Sequence, residues 1–182
     1  LTSEREAGDQ ILHINNMSKS LDGEKLFSNL NLNVTKGDKI ALISKNDLAT
    51  SALYEILNGF SEPDTGDFKF GQTITTGYLP NENKEFFNDQ QSLIDWLRQF
   101  SSNKDEVYIR GFLGKMLFSG EETFKMANVL SGGEKVRCMI SRMMLKGGNF
   151  LMLDEPTNHL DLESIQAFNN ALINFPGTVI FT

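Results

Sequence analysis

The 182-residue sequence has a single cysteine, Cys138, so it cannot form an internal disulfide, and this favours a reducing, cytosolic environment. It also lacks long hydrophobic runs, because its apolar segments are far shorter than the roughly 20 residues of a membrane-spanning helix. The polar, charged first ten residues do not resemble a signal peptide. The net charge of −7 argues against a general nucleic-acid binder, although it is compatible with a local basic patch.

What is present suits one α/β domain with a small lobe attached, since 40% of the residues are apolar. The charged segment 1–9 resembles the end of an interdomain linker, and the apolar run 178–182 resembles a core strand. We therefore expect a piece of a longer protein, with one domain over residues 10–182.

Hydrophobic periodicity predicts a β-rich start and a helical lobe over 91–147, between two parts of a parallel-sheet core, 10–90 and 148–182. The first predicted elements are a strand over 11–19, a turn at Asp22-Gly23, a strand through Leu30, Leu32 and Val34, a continuous strand buried on both faces over 39–44, a helix over 51–57, and two strands in 64–80 split at Gly71. The later ones are helices over 91–146, one of them opened by the SGG turn, a strand over 150–153, a helix over 162–175 and a strand over 179–181.

Asp154 and Glu155 follow the apolar strand FLML, at the end where open α/β sheets bind ligands. An Asp there can hold a metal ion, and the adjacent Glu can orient or deprotonate a water in metal-assisted phosphoryl transfer. Taken alone, the pair fits a solvent-facing strand end equally well. The following segment, Pro156–Asp161, favours the functional interpretation.

A second motif, Ser131-Gly132-Gly133-Glu134, opens a predicted helix about 20 residues before that strand. Glycines let the backbone approach a ligand, and the amides at a helix N-terminus favour an anion, to which Ser131 adds a hydroxyl. A serine N-cap followed by flexible glycines would explain the turn by itself. Its spacing from the carboxylate strand favours an anion site.

The two segments LSGGEKVR and LMLDEPTNHLD resemble the signature, Walker B and D-loop motifs of the ATP-binding cassette (ABC) ATPases. The resemblance covers about Gln10 to Thr182. Glu134 and the Asn158-His159 pair are similar to the ABC-F subfamily, whereas transporter cassettes more often have Gln after the two glycines. The implied fold is α/β, a P-loop NTPase-type ABC nucleotide-binding domain with an antiparallel β subdomain and an inserted helical signature lobe.

The resemblance also implies residue roles. Glu155 would be catalytic, Asp154 and Ser51 would hold Mg²⁺, Asn81 would take the Q-loop position, and Asp161 would belong to the D-loop. The signature residues 131–134 would bind ATP held by a partner cassette. His159 belongs to the turn, and the switch histidine would follow Thr182.

The phosphate-binding loop departs from the family pattern G-x-x-x-x-G-K-[ST]. The aligned residues are Ser44, Lys45, Asn46, Asp47, Leu48, Ala49, Thr50 and Ser51. Both glycines and the lysine are replaced, Asp47 adds a negative charge, and Ser51 alone keeps its chemistry. We therefore expect weak or absent binding of ATP and Mg²⁺ at this domain's own site.

The resemblance thus implies the second cassette of a cytoplasmic twin-cassette ABC-F ATPase without a membrane domain. Its partners would be the first cassette of the same polypeptide and the ribosome or its RNA. The full protein would hydrolyse ATP, whereas the isolated chain would be inactive. Two alternatives stay open: the ATP-binding subunit of an ABC transporter, and a non-catalytic scaffold cassette.

Overall fold

The computed structural model describes residues 8–182, so most of the predicted linker, 1–9, lies outside the described residues. The chain forms two compact units. The first, the sheet unit, comprises residues 8–81, Gly148–Glu155 and Pro176–Thr182. The second, the helical unit, comprises Glu82–Gly147 and Pro156–Phe175.

The sheet unit begins with two long antiparallel strands, β1 (Gln10–Leu21) and β2 (Glu24–Thr35). Asp22 and Gly23 join them with positive φ angles of 50° and 82°, the conformation of a tight hairpin turn, which confirms the predicted turn. The later strand β4 (Thr65–Phe70) pairs with the other edge of β1 in the order β2-β1-β4. The predicted antiparallel subdomain is thereby confirmed.

A second, parallel sheet has the order β3-β7-β6-β5. Its strands are β3 (Lys39–Ala41), β5 (Thr76–Leu79), β6 (Phe150–Leu153) and β7 (Thr178–Phe181). All four residues of the interior strand β6 are buried, as expected for an apolar strand covered on both faces. The predicted strand over 150–153 is confirmed, and it delivers Asp154 to the carboxyl end of the sheet.

The predicted strand over 39–44, buried on both faces, is wrong. The strand β3 ends at Ala41, and the Ile43 side chain is 96% exposed. Within the described residues β3 pairs with β7 alone, so it is an edge strand, and an apolar run does not reveal which position in a sheet it will take. The chain beyond it forms the loop that leads into helix α1 (Asp47–Leu57).

Helix α1 buries Leu53, Tyr54, Ile56 and Leu57 in the same core as Phe150 and Ile180. Asn46 caps its first turn, because the Asn46 side chain accepts a hydrogen bond of 2.9 Å from the Leu48 N–H. The helix therefore begins four residues before the predicted start at Ser51.

The Tyr54 hydroxyl is buried and makes no hydrogen bond within the described residues. Tyr54→Phe should raise the free energy of unfolding by about 1 kcal/mol or more, because it removes a buried polar group without a partner. Urea unfolding of both proteins measures the change. Tyr78→Phe is the matched control, since Tyr78 is only half-buried, and it should change stability less. Equal or lower stability of Tyr54→Phe would contradict the prediction.

The helical unit contains α2 (Leu93–Arg98), α3 (Glu106–Lys115), α4 (Gly132–Lys146) and α5 (Leu162–Ile173). Helix α4 starts at the SGG turn, as predicted, and ends at Gly147, which has the left-handed conformation usual for a helix C-cap. The predicted apolar stripe is confirmed, because all of its members are buried: Val136, Met139, Ile140, Met143 and Met144. A well-packed helix thus holds the SGG turn in place.

Candidate nucleotide-binding site

The SGG turn is held by a complete capping box. The Ser131 Oγ accepts a hydrogen bond from the Glu134 N–H at 3.2 Å, and the Glu134 Oε2 accepts one from the Ser131 N–H at 2.8 Å. As the first two helical residues, Gly132 and Gly133 have N–H groups without an intrahelical acceptor. These amides and the helix dipole form a suitable anion site.

Gly133 is required by the close approach of another backbone segment. A Cβ atom added at Gly133 would lie 2.6 Å from the His159 carbonyl oxygen, whereas one added at Gly132 would meet its nearest atom, the His159 Cβ, at 3.7 Å. His159 has a positive φ of 65°, so it occupies a left-handed turn position. The structure thus places His159 in the turn beside the signature.

The predicted signature and D-loop residues line one pocket of about 400 Å³ in the helical unit. Its lining includes Ser131, Gly133, Arg137 and Asp161. The Asp161 carboxylate caps helix α5 by accepting a hydrogen bond of 2.8 Å from the Ser164 N–H, and the hydrogen bonds from Ser164 hold the pKa of Asp161 below its ordinary value. The structure therefore brings the predicted signature and D-loop residues together.

In the sheet unit, Asp154 is buried at 3% exposure, and its Oδ2 accepts a hydrogen bond of 2.7 Å from the Ser51 hydroxyl. Burial is the main reason why the pKa of Asp154 lies above its ordinary value, and the Ser51 hydrogen bond opposes that shift. Within the described residues, no group of three or more His, Cys, Asp or Glu side chains could hold a metal ion. Asp154 and Ser51 fit Mg²⁺ only as two ligands of an ion that also binds phosphate oxygens.

Glu155 has a positive φ of 48°, which is unusual for a residue with a long side chain. Its N–H donates a hydrogen bond of 2.7 Å to the Thr182 Oγ1, so the final residue of the chain holds this backbone conformation. Strained backbone of this kind is concentrated at functional sites. Asn81, at the predicted Q-loop position, is exposed two residues after β5, which pairs with β6.

Asp154→Asn should stabilise the metal-free chain at neutral pH. A carboxyl group whose folded pKa is raised costs stability as the pH rises from its ordinary pKa, 3.8, to its folded pKa, and the full cost persists above that window. Asparagine removes this cost. Urea unfolding in EDTA, at pH values from about 4 to about 8, should show that the stability gained by Asp154→Asn over the parent chain increases with pH.

Ser51→Ala is the comparison variant, because it removes the hydrogen bond but keeps the buried carboxylate. It should lower stability at neutral pH by about 1–3 kcal/mol. A stability gain from Asp154→Asn that is smaller at about pH 8 than at about pH 4 would contradict the raised pKa assigned to Asp154.

The eroded phosphate loop does not form an anion nest. All of residues 44–51 are described, and none has a positive φ, although a backbone nest requires alternating right- and left-handed residues. The Asn46 side chain instead occupies the Leu48 N–H, and Asp47 lies in the first turn of α1. Lys45 is exposed. Residues 44–51 thus have neither an anion nest nor the lysine of the family pattern.

The contact between Lys125 and Glu134 was not predicted from the sequence. Lys125 Nζ lies 2.6 Å from Glu134 Oε1. The two residues are nine apart, and Lys125 lies outside the helices and strands, so no helical or strand spacing indicates their contact. The N-cap Asn46, by contrast, could have been recognised from the Asn-Asp pair at a helix start.

The family model described as ABC transporter matches residues 27–158, more than half of the chain. The chain belongs to the ABC transporter family. As a member of this family it has the fold of an ABC nucleotide-binding domain, a domain type that binds and hydrolyses ATP with Mg²⁺. None of the helices in residues 8–182 has the length and hydrophobicity to span a membrane.

Curated relatives match the chain over at least nine-tenths of its length. It is 52% identical over 183 residues to the uncharacterized ABC transporter ATP-binding protein YkpA of Bacillus subtilis, covering 100% of this chain and 34% of YkpA. It is 31% identical over 177 residues to the energy-dependent translational throttle protein EttA of Haemophilus influenzae, covering 93% of this chain and 31% of EttA. The chain thus spans about a third of the length of these relatives.

Solved structures show the same fold at low sequence identity. A bacterial Atm1-family ABC exporter with ATP bound has a TM-score of 0.80 and 16% identity, over 99% of this chain and 35% of the exporter chain. The cbiO1 protein of Clostridium perfringens, part of the ABC transporter complex cbiONQ, has a TM-score of 0.70 and 21% identity, over 96% of this chain and 78% of cbiO1. The mixed α/β fold predicted from the sequence is confirmed.

Proposed function

We propose that this chain is the second cassette of a twin-cassette ABC-F ATPase that acts on the ribosome in the cytoplasm. Residues 1–9 end the interdomain linker, residues 10–182 form the cassette, and the helical lobe 91–147 carries the signature. Two of the relatives' features support this proposal. The chain spans about a third of their length, and one relative is named a translational throttle protein.

The observation that carries the proposal is the contrast between two helix N-termini. At the start of α4 the capping box keeps Ser131 in place and leaves the Gly132 and Gly133 amides for an anion. At the start of α1 the Asn46 side chain takes an amide, and a carboxylate follows. This cassette is therefore built to bind the phosphates of an ATP held by its partner, and not an ATP of its own.

In the partner's site, the Ser131 hydroxyl donates a hydrogen bond to a phosphate oxygen, and the Gly133 amide approaches it closely because glycine has no side chain. Mg²⁺, when bound with ATP, would neutralise phosphate charge during hydrolysis. Asp161 fixes the start of α5 beside this pocket. In this cassette's own degenerate site, Asp154 and Ser51 keep a metal-binding pair and Glu155 keeps the position of the catalytic carboxylate.

Calorimetric titration of this chain with MgATP tests the proposal that this cassette does not hold an ATP of its own. We expect little heat of binding, because residues 44–51 offer neither a nest nor the loop lysine. Binding with micromolar affinity would contradict it. Injections of MgATP into buffer alone give the heat of dilution, and a titration of the chain with MgCl₂ alone gives the heat of metal binding.

ATP turnover by the twin-cassette protein tests the proposal that hydrolysis takes place at the ATP held by the other cassette. Glu155→Gln should lower ATP turnover less than the same change at the catalytic glutamate of the other cassette, because hydrolysis takes place at the other cassette's ATP. Turnover by each variant is measured by phosphate release. A larger loss from Glu155→Gln would assign the hydrolytic site to this cassette instead.

A transporter ATP-binding subunit is the second candidate, supported by the name of YkpA. Sedimentation of the full-length protein with ATP through a sucrose cushion separates the two. We expect it to pellet with ribosomes. Recovery in the membrane fraction with an integral membrane protein would favour the transporter. If the protein is found in neither fraction and has no ATP turnover, a scaffold cassette is favoured.

A further inference from the structure

The ion pair between Lys125 and Glu134 lies at the start of the signature helix. Lys125 Nζ donates to Glu134 Oε1 at 2.6 Å, while Glu134 Oε2 accepts the Ser131 N–H at 2.8 Å. Each carboxylate oxygen of Glu134 therefore has its own donor. The same carboxylate completes the capping box and also lines the pocket with Ser131 and Gly133.

The Lys125 backbone is held by its own contacts. Its N–H donates to the Glu122 carbonyl at 3.1 Å, and its carbonyl accepts the Leu93 N–H at 3.0 Å, at the start of α2. Its side chain is 47% exposed, whereas that of Glu134 is 14% exposed. Lys125 thus reaches a less exposed carboxylate from a fixed position, and its removal should leave the local backbone unchanged.

Glu134 places a negative charge in a pocket that must accept a polyanion. Burial alone would raise the pKa of Glu134, but the hydrogen bonds from Lys125 and from the Ser131 N–H outweigh burial, so the pKa lies below its ordinary value. Glu134 is consequently ionised at neutral pH. An unpaired carboxylate there would repel the phosphates of a nucleotide bound to the Ser131 hydroxyl and the glycine amides.

We propose that Lys125 is a positioning residue for the nucleotide bound in trans: it cancels the charge of Glu134 and holds that carboxylate in the capping box. This inference rests on the proposed function. Ser131 and Gly133 touch the phosphates, whereas Lys125 acts through Glu134. Lys125 therefore affects the affinity for ATP more than the chemical step.

ATP turnover by the twin-cassette protein, measured over a range of MgATP concentrations, tests the role of Lys125. Lys125→Met should raise KM for ATP about threefold to fivefold, the effect of removing one partly exposed ion pair, with a smaller change in kcat. Lys125→Arg should leave KM at the parental value. In a Glu134→Gln background, Lys125→Met should have no further effect, because glutamine keeps the capping box without the charge.

Lys115→Met is the matched control, since the Lys115 ammonium lies over the Phe112 ring at 4.5 Å and not beside Glu134. An unchanged KM in Lys125→Met, an equal effect of Lys115→Met, or additive effects of Lys125→Met and Glu134→Gln would each overturn the inference. Ser131→Ala separates the two proposals. If it abolishes turnover while Lys125→Met does nothing, only the role of Lys125 is wrong; if it has no effect, the proposed function is wrong as well.

Discussion

Replacing Gly133 with alanine is expected to lower ATP turnover of the twin-cassette protein by about 100-fold, the cost of losing one preorganised donor at a reacting phosphate. The added Cβ would lie 2.6 Å from the His159 carbonyl oxygen, which is backbone and cannot rotate away. The turn must therefore shift, and the Gly133 amide moves with it. Phosphate release at saturating MgATP measures the loss.

Gly132→Ala separates this steric cause from a general effect of alanine at the start of α4. Its Cβ would meet the nearest atom at 3.7 Å, an ordinary van der Waals contact. In urea unfolding of the isolated chain, Gly133→Ala should lose about 1–3 kcal/mol of stability through overpacking, and Gly132→Ala should lose less. Equal losses would exclude the His159 contact as the cause.

Rebuilding the phosphate loop is expected to restore nucleotide binding to this cassette. Ser44→Gly, Ala49→Gly and Thr50→Lys together recreate G-x-x-x-x-G-K-S. We expect a gain in MgATP affinity of about 100-fold or more, equivalent to roughly 2.7 kcal/mol, because the loop regains both its nest and its lysine. Calorimetry with MgATP measures the gain, and a thermal shift on adding MgATP provides an independent readout.

The double variant Ser44→Gly with Ala49→Gly is the matched control, since it has the glycines but lacks the charge. A glycine inside α1 costs about 1 kcal/mol of stability relative to alanine, so both variants should unfold more easily without nucleotide. Only the triple variant should regain that stability with MgATP. If the two variants bind equally, the lysine is not what this loop lacks.

Prediction from the sequence was most successful where a local residue pattern is compatible with only one secondary-structure element. The residues Phe150–Leu153 are all apolar and precede two carboxylates, and a buried interior strand is the element that accommodates them. Ser131 and Glu134 similarly have the spacing of a capping box, and the structure forms both of its hydrogen bonds. Local chemistry decided these elements.

Prediction was poorer where position in the fold decided the outcome. Residues 40–43 are all apolar, like those of β6, yet β3 lies at the edge of its sheet and ends at Ala41. The contact between Lys125 and Glu134 depends on how the segment after α3 returns to α4. Helix α1 begins earlier than predicted because Asn46 caps its first turn, and Asn46 lies within the segment that was matched to the phosphate-loop pattern.

The edge position of β3 also affects how the isolated chain should be handled. Within the described residues its outer backbone groups have no neighbouring strand, and the exposed Ile43 side chain follows close by. Such an edge can pair with a second copy, which its length of three residues limits and the net charge of −7 opposes by mutual repulsion. Self-association should therefore increase with protein concentration and with added salt, so dilute, low-salt samples are the appropriate choice for calorimetry and unfolding.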